Sequence, residues 1–240
     1  MSETERLYNK NRAGTGAVAF DEGLRRYMIG VYNYMALGVA ATALIAFAFL
    51  MSPAAMQTVA GLSFIPFIAL IALGWFAPRL IMNGSKATAH GAYWAYVALW
   101  GVLIGPFVAG YIGMGMAGLV AQAFFISASI FAAMSLYGYT TKKDLSGWGK
   151  FLFMASIGFL VAIVVNFFIA STMFSLLISF GVVLLMSAIT AFETQMVRNL
   201  YVEGAGEMNE RSSIFGAFAL YGSFITLFIH ILNILGIMRE

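Results

Sequence analysis

The sequence predicts an all-α integral membrane protein, a seven-transmembrane-helix bundle, and two observations carry this prediction. Residues 27–78, 87–141, 151–192 and 212–238 contain no Asp, Glu, Lys or Arg, whereas a soluble surface needs charged side chains. The chain is also 62% hydrophobic and only 10% charged. Because a bilayer-crossing helix takes roughly 20 apolar residues, the four uncharged runs have room for two, two, two and one spans.

The individual spans follow from the apolar runs and from the Pro, Gly and charged residues between them. Ser52-Pro53 ends the first span, Pro78-Arg79 lies near the end of the second, and Gly105-Pro106 is expected to follow the third, because proline interrupts helix hydrogen bonding. The Gly-rich stretch 110–118 is then expected to form a flexible turn. The predicted spans cover approximately 27–50, 62–82, 88–104, 119–139, 148–169, 173–197 and 214–237.

Lys and Arg occur in alternate connections, which predicts an orientation. They occupy the N-terminal segment and the second-to-third, fourth-to-fifth and sixth-to-seventh connections, and the other three connections have none. The positive-inside rule then places residues 1–26 in the cytoplasm as an N-terminal segment, followed by the seven-helix domain over 27–240. The C-terminus lies outside if the seventh segment crosses fully, and in the cytoplasm if that segment is re-entrant.

Composition argues against several classes of function. There is no Cys and there are only two His, too few ligands for a transition-metal site. The net charge of +3 comes from short basic loops, so no nucleic-acid partner is expected, and no phosphate-binding Gly loop is present. Ser223 and His230 would lie about 10 Å apart on one helix, too far for a nucleophile and its base. No enzymatic activity and no cofactor are therefore expected.

Glu193 is the only acidic residue inside a predicted span. Ionisable groups are costly in a bilayer and normally face the bundle interior or a hydrated cavity. Thr190 lies on the same side of the sixth span, and Arg79 is expected at a matching depth as a counter-ion. The functional interpretation is a protonatable gate or cation site, and the alternative is a structural, ion-paired Glu near the interface.

The seventh span carries small and polar residues at intervals of three or four, which places them on one face of a helix. This face either packs inward or lines a hydrated path. His230 is a candidate pH switch, although a lone membrane His is commonly a hydrogen-bonded packing residue. The members of this stripe are Ser212, Gly216, Ala219, Ser223, Thr226, His230 and Asn233.

Several strings resemble the Bax inhibitor-1/YccA family over the whole chain. The stretch 135–146 (SLYGYTTKKDLS) resembles the family's fourth-to-fifth connection, and 192–195 (FETQ) resembles its Asp-Thr-Gln segment. Residues 220–228 (LYGSFITLF) resemble its motif in the seventh span, and 30–36 (GVYNYMA) is similar to bacterial members. The resemblance implies a bundle with the C-terminal helix central, in a bacterial inner (plasma) membrane.

The resemblance also implies a pH-sensitive calcium leak, sensed by two Asp residues of the sixth and seventh spans and engaged by an Arg of the second. This sequence differs at that site: Glu193 occupies the first Asp position, Ser223 the second, and Thr226 replaces an Asn. Two hypotheses follow. One is a calcium or cation leak with a Glu193/Ser223 gate, helped by Arg79 or His230 and by a pore-facing stripe of Thr190, Thr226 and Asn233. The other is a non-transporting regulator that binds an inner-membrane protease or another membrane partner.

Overall fold

The computed structural model describes the backbone of residues 3–61 and 64–239, and the side chains of residues 22–239 apart from positions 53, 60, 62 and 63. The described residues form α-helices joined by short connections, with a 3-10 turn at Ser146–Trp148. The helices are α1 (Glu3–Met51), α2 (Pro53–Gly61), α3 (Phe64–Asn83), α4 (Lys86–Gly113), α5 (Ala117–Thr140), α6 (Gly149–Ile169), α7 (Thr172–Asn199) and α8 (Gly206–Ile237).

Seven of these helices are long and apolar enough to cross a membrane, which confirms the predicted fold class. The nine-residue α2, which the sequence analysis did not predict, is too short to do so. It begins at Pro53, a residue suited to the first turn of a helix because that turn needs no amide donor there. The spanning part of α1, Glu22–Met51, continues from the preceding residues without a break at position 26.

α8 is the central helix, as the family resemblance implied. Of its most apolar window 67% is buried, compared with at most 33% for any other span. It packs against α1, α3, α4, α5 and α7. A helix surrounded in this way exchanges lipid for protein on every side, which explains why small residues such as Gly216 and Ala217 alternate with large apolar ones.

One predicted boundary is wrong: α4 does not end at Gly105-Pro106 but continues to Gly113. The turn is confined to the residues around Met114–Met116, so most of the Gly-rich stretch 110–118 is helical. Proline removes one helix hydrogen bond, whereas ending the helix inside the bilayer would expose several backbone groups without water to satisfy them. Gly105 also lets α4 approach α1, since a Cβ there would lie 2.6 Å from a Phe49 ring carbon.

α8 is continuous over 32 residues, and at a 1.5 Å rise this corresponds to about 48 Å. That length exceeds the hydrocarbon thickness of about 30 Å, and an unbroken helix cannot return to the side from which it entered. Of the two possibilities left open by the sequence, the structure therefore favours a full crossing over a re-entrant segment.

The four charged parts of the chain lie at one end of the bundle, referred to below as the charged end. Lys86 Nζ lies 2.6 Å from Glu210 Oε1, and Arg211 Nη1 donates to the Gly84 carbonyl at 3.0 Å. These contacts join the α3–α4 turn to the start of α8. Gln195 of α7 bonds the α5–α6 connection, and Tyr201 of the α7–α8 connection packs on Gly23 and Tyr27 of α1. The connections that carry Lys and Arg in the sequence thus lie together at the same end of the bundle.

Candidate functional site

A cavity of 390 Å³ opens among α3, α4, α6, α7 and α8. Most of its wall is apolar or small, and its polar side chains come from α4, α6, α7 and α8. The lining residues are Gly74, Pro78, Tyr96, Ser156, Met186, Ile189, Glu193, Met196, Phe215, Phe218, Ala219, Gly222, Ser223 and Thr226.

Glu193 and Ser223 meet on the wall of this cavity. The Ser223 hydroxyl donates to Glu193 Oε2 at 2.6 Å, joining α7 to α8. Ser223 is buried and Glu193 is half-buried, because its carboxylate borders the cavity. A short hydrogen bond to a carboxylate is typical of a charge-assisted interaction. The two positions that the family resemblance singled out are therefore in direct contact.

Gly222, next to Ser223 on α8, leaves room for the side chain of Tyr96 of α4. A Cβ at position 222 would lie 2.7 Å from the Tyr96 hydroxyl oxygen, well inside the normal contact distance. Tyr96 also lines the cavity. A side chain at position 222 would displace the Tyr96 hydroxyl next to Ser223, so the small residue keeps that hydroxyl on the cavity wall. The sequence analysis named neither Tyr96 nor Gly222 as part of the site.

Arg79 does not reach Glu193 in this structure. Its side chain is exposed, and the ion pairs among the described side chains are Arg26–Glu22 and Lys86–Glu210. The neighbouring Pro78 faces the cavity, and Ala77 and Ile81 are buried in the bundle. Successive residues on a helix point about 100° apart, so Arg79 turns away when Pro78 faces inward. The expected Arg79–Glu193 pair is absent here.

The polar stripe of α8 divides into two separate parts. Ala219, Ser223 and Thr226 line the cavity, whereas His230 and Asn233 do not. His230 Nδ1 lies 3.1 Å from Ser179 Oγ, and Asn233 Nδ2 donates to the hydroxyls of Ser179 at 2.9 Å and Ser175 at 3.0 Å. These contacts are the interhelical hydrogen bonds that polar residues commonly form in membranes.

Thr190 and Thr226 have different surroundings, although both were predicted to face a pore. Thr190 is buried, and its hydroxyl donates to the Met186 carbonyl of its own helix. Thr226 borders the cavity, with its hydroxyl bonded to the Gly222 carbonyl. Of the three residues predicted to face a pore, Thr190, Thr226 and Asn233, only Thr226 therefore shares the cavity with Glu193 and Ser223.

The described residues contain no group of three or more His, Cys, Asp or Glu that could hold a metal ion. Ca²⁺ binds roughly six to eight oxygen ligands in stable sites. The cavity offers the Glu193 carboxylate and the hydroxyls of Tyr96, Ser156, Ser223 and Thr226, of which the last three already donate hydrogen bonds. This wall alone offers fewer free oxygen ligands than a stable Ca²⁺ site takes.

A second group of residues in α7 holds the α5–α6 connection. Gln195 Oε1 accepts from the Leu145 amide at 2.7 Å, and Gln195 Nε2 donates to the Lys143 carbonyl at 2.8 Å. Thr194 Oγ1 lies 3.0 Å from Ser135 Oγ, and Arg198 Nη1 donates to the Tyr139 carbonyl at 2.5 Å. The stretches 135–146 and 192–195 are thus joined to each other by hydrogen bonds. Their roles were not predicted, although both strings stood out in the sequence.

The sequence profile described as "Inhibitor of apoptosis-promoting Bax1" matches residues 24–240. The chain belongs to the Bax inhibitor-1 family. It is 35% identical to a protein of Caulobacter vibrioides over 100% of both chains. It is 38% identical to the RP147 protein of Rickettsia prowazekii, with 92% of this chain and 93% of that one aligned.

The chain is also 35% identical to the inner membrane protein YbhL of Escherichia coli, over 90% of this chain and 94% of the relative. The relatives align along nearly their full length, so the family match concerns the whole seven-helix bundle. The chain is therefore a multi-pass membrane protein of the Bax inhibitor-1 family.

Proposed function

We propose that this protein is a pH-sensitive leak for calcium or related cations in a bacterial inner membrane, with Glu193 as its gate and the charged end in the cytoplasm. The observation that carries the proposal is the 2.6 Å hydrogen bond from Ser223 to Glu193 on the wall of an open cavity between α3, α4, α6, α7 and α8. An ionisable residue within the membrane-spanning part of the bundle is a functional candidate, because placing a charge there is costly.

Electrostatics explain how a single carboxylate would act as a gate. Glu193 is the only acidic or basic side chain on the cavity wall, so its protonation changes the cavity from anionic to neutral. The ionised carboxylate attracts a cation, whereas the protonated carboxyl does not. Few other polar groups on this low-dielectric wall can replace the lost attraction. Protonation also changes the Glu193–Ser223 hydrogen bond, because a neutral carboxyl both donates and accepts.

The division of the α8 stripe supports a closed conformation. Beyond Thr226 the next polar residues, His230 and Asn233, are engaged by the serines of α7 rather than by the cavity. A continuous cation path would therefore require α7 and α8 to rearrange around the Ser175, Ser179, His230 and Asn233 cluster. Calcium is the transported substrate in this proposal and needs no resident site.

Calcium entry into dye-loaded liposomes, measured from about pH 6 to 8, tests the proposal around neutrality. Wild type is compared with Glu193→Gln, which keeps the side-chain shape without the charge. Glu203→Gln, an exposed carboxyl of the α7–α8 connection, is the matched control. We expect pH-dependent flux in wild type and Glu203→Gln, and flux that no longer responds to pH in Glu193→Gln.

Absence of flux above protein-free liposomes at every pH would contradict the leak, as would an unchanged pH profile in Glu193→Gln. Flux that both variants alter equally would remove Glu193 as the gate, because a general loss of negative charge would then explain the result.

A regulator that binds an inner-membrane protease is the second candidate, and the held α5–α6 connection favours it. Gln195 fixes the backbone on both sides of Asp144, and the side chains of Lys142, Lys143 and Asp144 remain exposed. A rigid loop with exposed charges is a common form of binding surface. The double variant Lys142→Glu/Lys143→Glu should no longer co-purify with the protease, whereas Lys150→Glu should co-purify like wild type. Equal co-purification of wild type, the double variant and Lys150→Glu would count against this candidate.

A further inference from the structure

A second cavity, of 410 Å³, lies between α1 and α5 at the charged end of the bundle. It is separate from the Glu193 cavity and shares no lining residue with it. Its wall is formed by Arg25, Met28, Ile29 and Tyr32 of α1 and by Phe131, Ala132, Ser135, Leu136 and Tyr139 of α5. This α1–α5 groove is not used by the proposed leak.

The groove is amphipathic along its length. Arg25 and Tyr139 form its rim at the charged end, and Met28, Ile29, Leu136, Ala132 and Phe131 continue it along α1 and α5 away from that end. From Arg25 to Tyr32 the chain advances seven helical residues, or about 10 Å. A cation at the interface and an apolar channel below it match the phosphate and the upper acyl chain of a lipid.

Basic side chains outnumber acidic ones near the rim, and Glu22 of α1 is paired with Arg26 at 3.1 Å. Lys142 and Lys143 lie three and four residues after Tyr139 and are exposed. The carboxylate of Asp144 accepts hydrogen bonds from the Ser146 amide and hydroxyl, both at 2.9 Å. Arg198 Nη1 donates to the Tyr139 carbonyl behind the rim. Basic residues next to a membrane surface attract anionic headgroups, by about a factor of five in affinity for each charge.

The groove is kept open by the way its helices are held. α1 packs mainly on α4 and α8, and α5 on α7 and α8, so the two helices are neighbours without a continuous contact. They are bridged at the floor of the groove, where Tyr32 Oη lies 2.5 Å from Ser135 Oγ and that hydroxyl lies 3.0 Å from Thr194 Oγ1. The floor is therefore hydrogen-bonded to α7, while the space above it is unfilled by protein.

We propose that the α1–α5 groove is a binding site for one anionic phospholipid, with the phosphate at Arg25 and an acyl chain along Met28, Leu136 and Ala132. The site follows from the basic rim above an apolar channel, and it does not depend on the leak function. Lipids that merely surround a membrane protein contact all of its faces, whereas this site predicts selective retention at one place.

Native mass spectrometry of the purified protein in detergent tests the site, using phosphatidylglycerol and phosphatidylcholine with identical acyl chains as probes. Two pairs of variants separate the contributions of headgroup and chain. Arg25→Gln removes the positive charge at the rim. Its control, Arg26→Gln, removes the positive charge of the next residue, whose side chain lines a different cavity. Ala132→Trp fills the groove, and its control Ala133→Trp places the same bulk on an exposed neighbouring position outside the groove.

We expect wild type to retain one phosphatidylglycerol in preference to phosphatidylcholine, and Arg25→Gln to bind it about fivefold more weakly. Arg26→Gln and Ala133→Trp should bind like wild type, and Ala132→Trp should lose both lipids from this site. Equal retention of the two lipids by wild type would overturn the proposal. Equal losses in Arg25→Gln and Arg26→Gln, or in Ala132→Trp and Ala133→Trp, would also overturn it.

Discussion

At the scale of single residues, the Ser223 hydroxyl links α8 to α7 and is expected to contribute to stability. It donates to the half-buried Glu193 carboxylate at 2.6 Å, and losing a hydrogen bond of this kind costs about 1 kcal/mol. Ser223→Ala should therefore lower the thermal unfolding midpoint in detergent. Ser156 lines the same cavity but bonds the Leu152 carbonyl of its own helix, so Ser156→Ala is the control and should shift stability by less than about 0.5 kcal/mol. Equal shifts would mean that the interhelical bond contributes nothing.

Ala170 illustrates a different residue-scale constraint, on the backbone rather than the side chain. It ends α6 at φ 52° and ψ 36°, the left-handed region that disfavours a side chain. It is exposed, so its methyl group makes few contacts worth keeping. Ala170→Gly should raise stability by about 0.5 kcal/mol, and Ala170→Val should lower it because β-branched residues tolerate this region poorly. Thermal unfolding of the two variants beside wild type tests both signs, and a destabilised Ala170→Gly would contradict the argument.

At the scale of elements, the last turns of α7 organise both of its neighbours. Glu193 faces the cavity, and Thr194, Gln195 and Arg198 bond α5 and the α5–α6 connection. Four residues on one helix end thus serve two surfaces, because a helix turns its side chains through 100° at each step. Any movement of this end of α7 would change the cavity and the α5–α6 connection together.

Tryptic cleavage after Lys142 or Lys143 reports on the Gln195 contacts. Both lysines are exposed, but Gln195 holds the backbone at Lys143 and Leu145. Losing two hydrogen bonds of about 1 kcal/mol each should make local opening at least about tenfold more frequent. Gln195→Ala should therefore be cut at least about tenfold faster, while Gln122→Ala, which removes an exposed amide of α5, should be cut like wild type. Unchanged cleavage in Gln195→Ala would contradict the argument that the Gln195 hydrogen bonds hold the loop.

The same connection has a pH-sensitive part that is independent of Gln195. Hydrogen bonds from the Ser146 amide and hydroxyl hold the pKa of Asp144 below its usual range. A depressed carboxyl pKa stabilises the folded turn above the ordinary value and loses that contribution as pH falls through the folded value, below about 4. The turn at Asp144 should therefore keep its structure throughout the range in which the leak would be regulated.

At the scale of the whole molecule, the sequence was sufficient for the span count, because uncharged runs are a direct consequence of the solvent. It failed at α4, where tertiary contact between Gly105 and Phe49 outweighs a local Pro signal. The Glu193–Ser223 contact was reached only through the family resemblance, since no periodicity links α7 to α8. Sequence also could not predict the direction in which side chains face, as shown by Arg79, Thr190 and Gln195. The depth of a residue in the membrane can be inferred from sequence, but the direction of its side chain depends on the neighbouring helices.

The orientation of the molecule is the last prediction, and the absence of cysteine from the chain makes it directly measurable. Lys143→Cys lies at the charged end, Met114→Cys lies in the uncharged α4–α5 turn, and Arg239→Cys follows α8. Because basic connections are retained in the cytoplasm, a membrane-impermeant maleimide added to intact spheroplasts should label positions 114 and 239 and leave 143 unlabelled. After the cells are opened, all three should react, which controls for accessibility.

The opposite pattern would place the charged end outside and contradict the positive-inside assignment. Labelling of 114 without 239 would mean that α8, despite its length, does not carry the C-terminus across. The expected pattern would instead place Arg25, the α5–α6 connection and the charged end of α7 on the cytoplasmic side. A change in cytoplasmic pH would then have the shorter route to Glu193, which lies two turns from the charged end of α7.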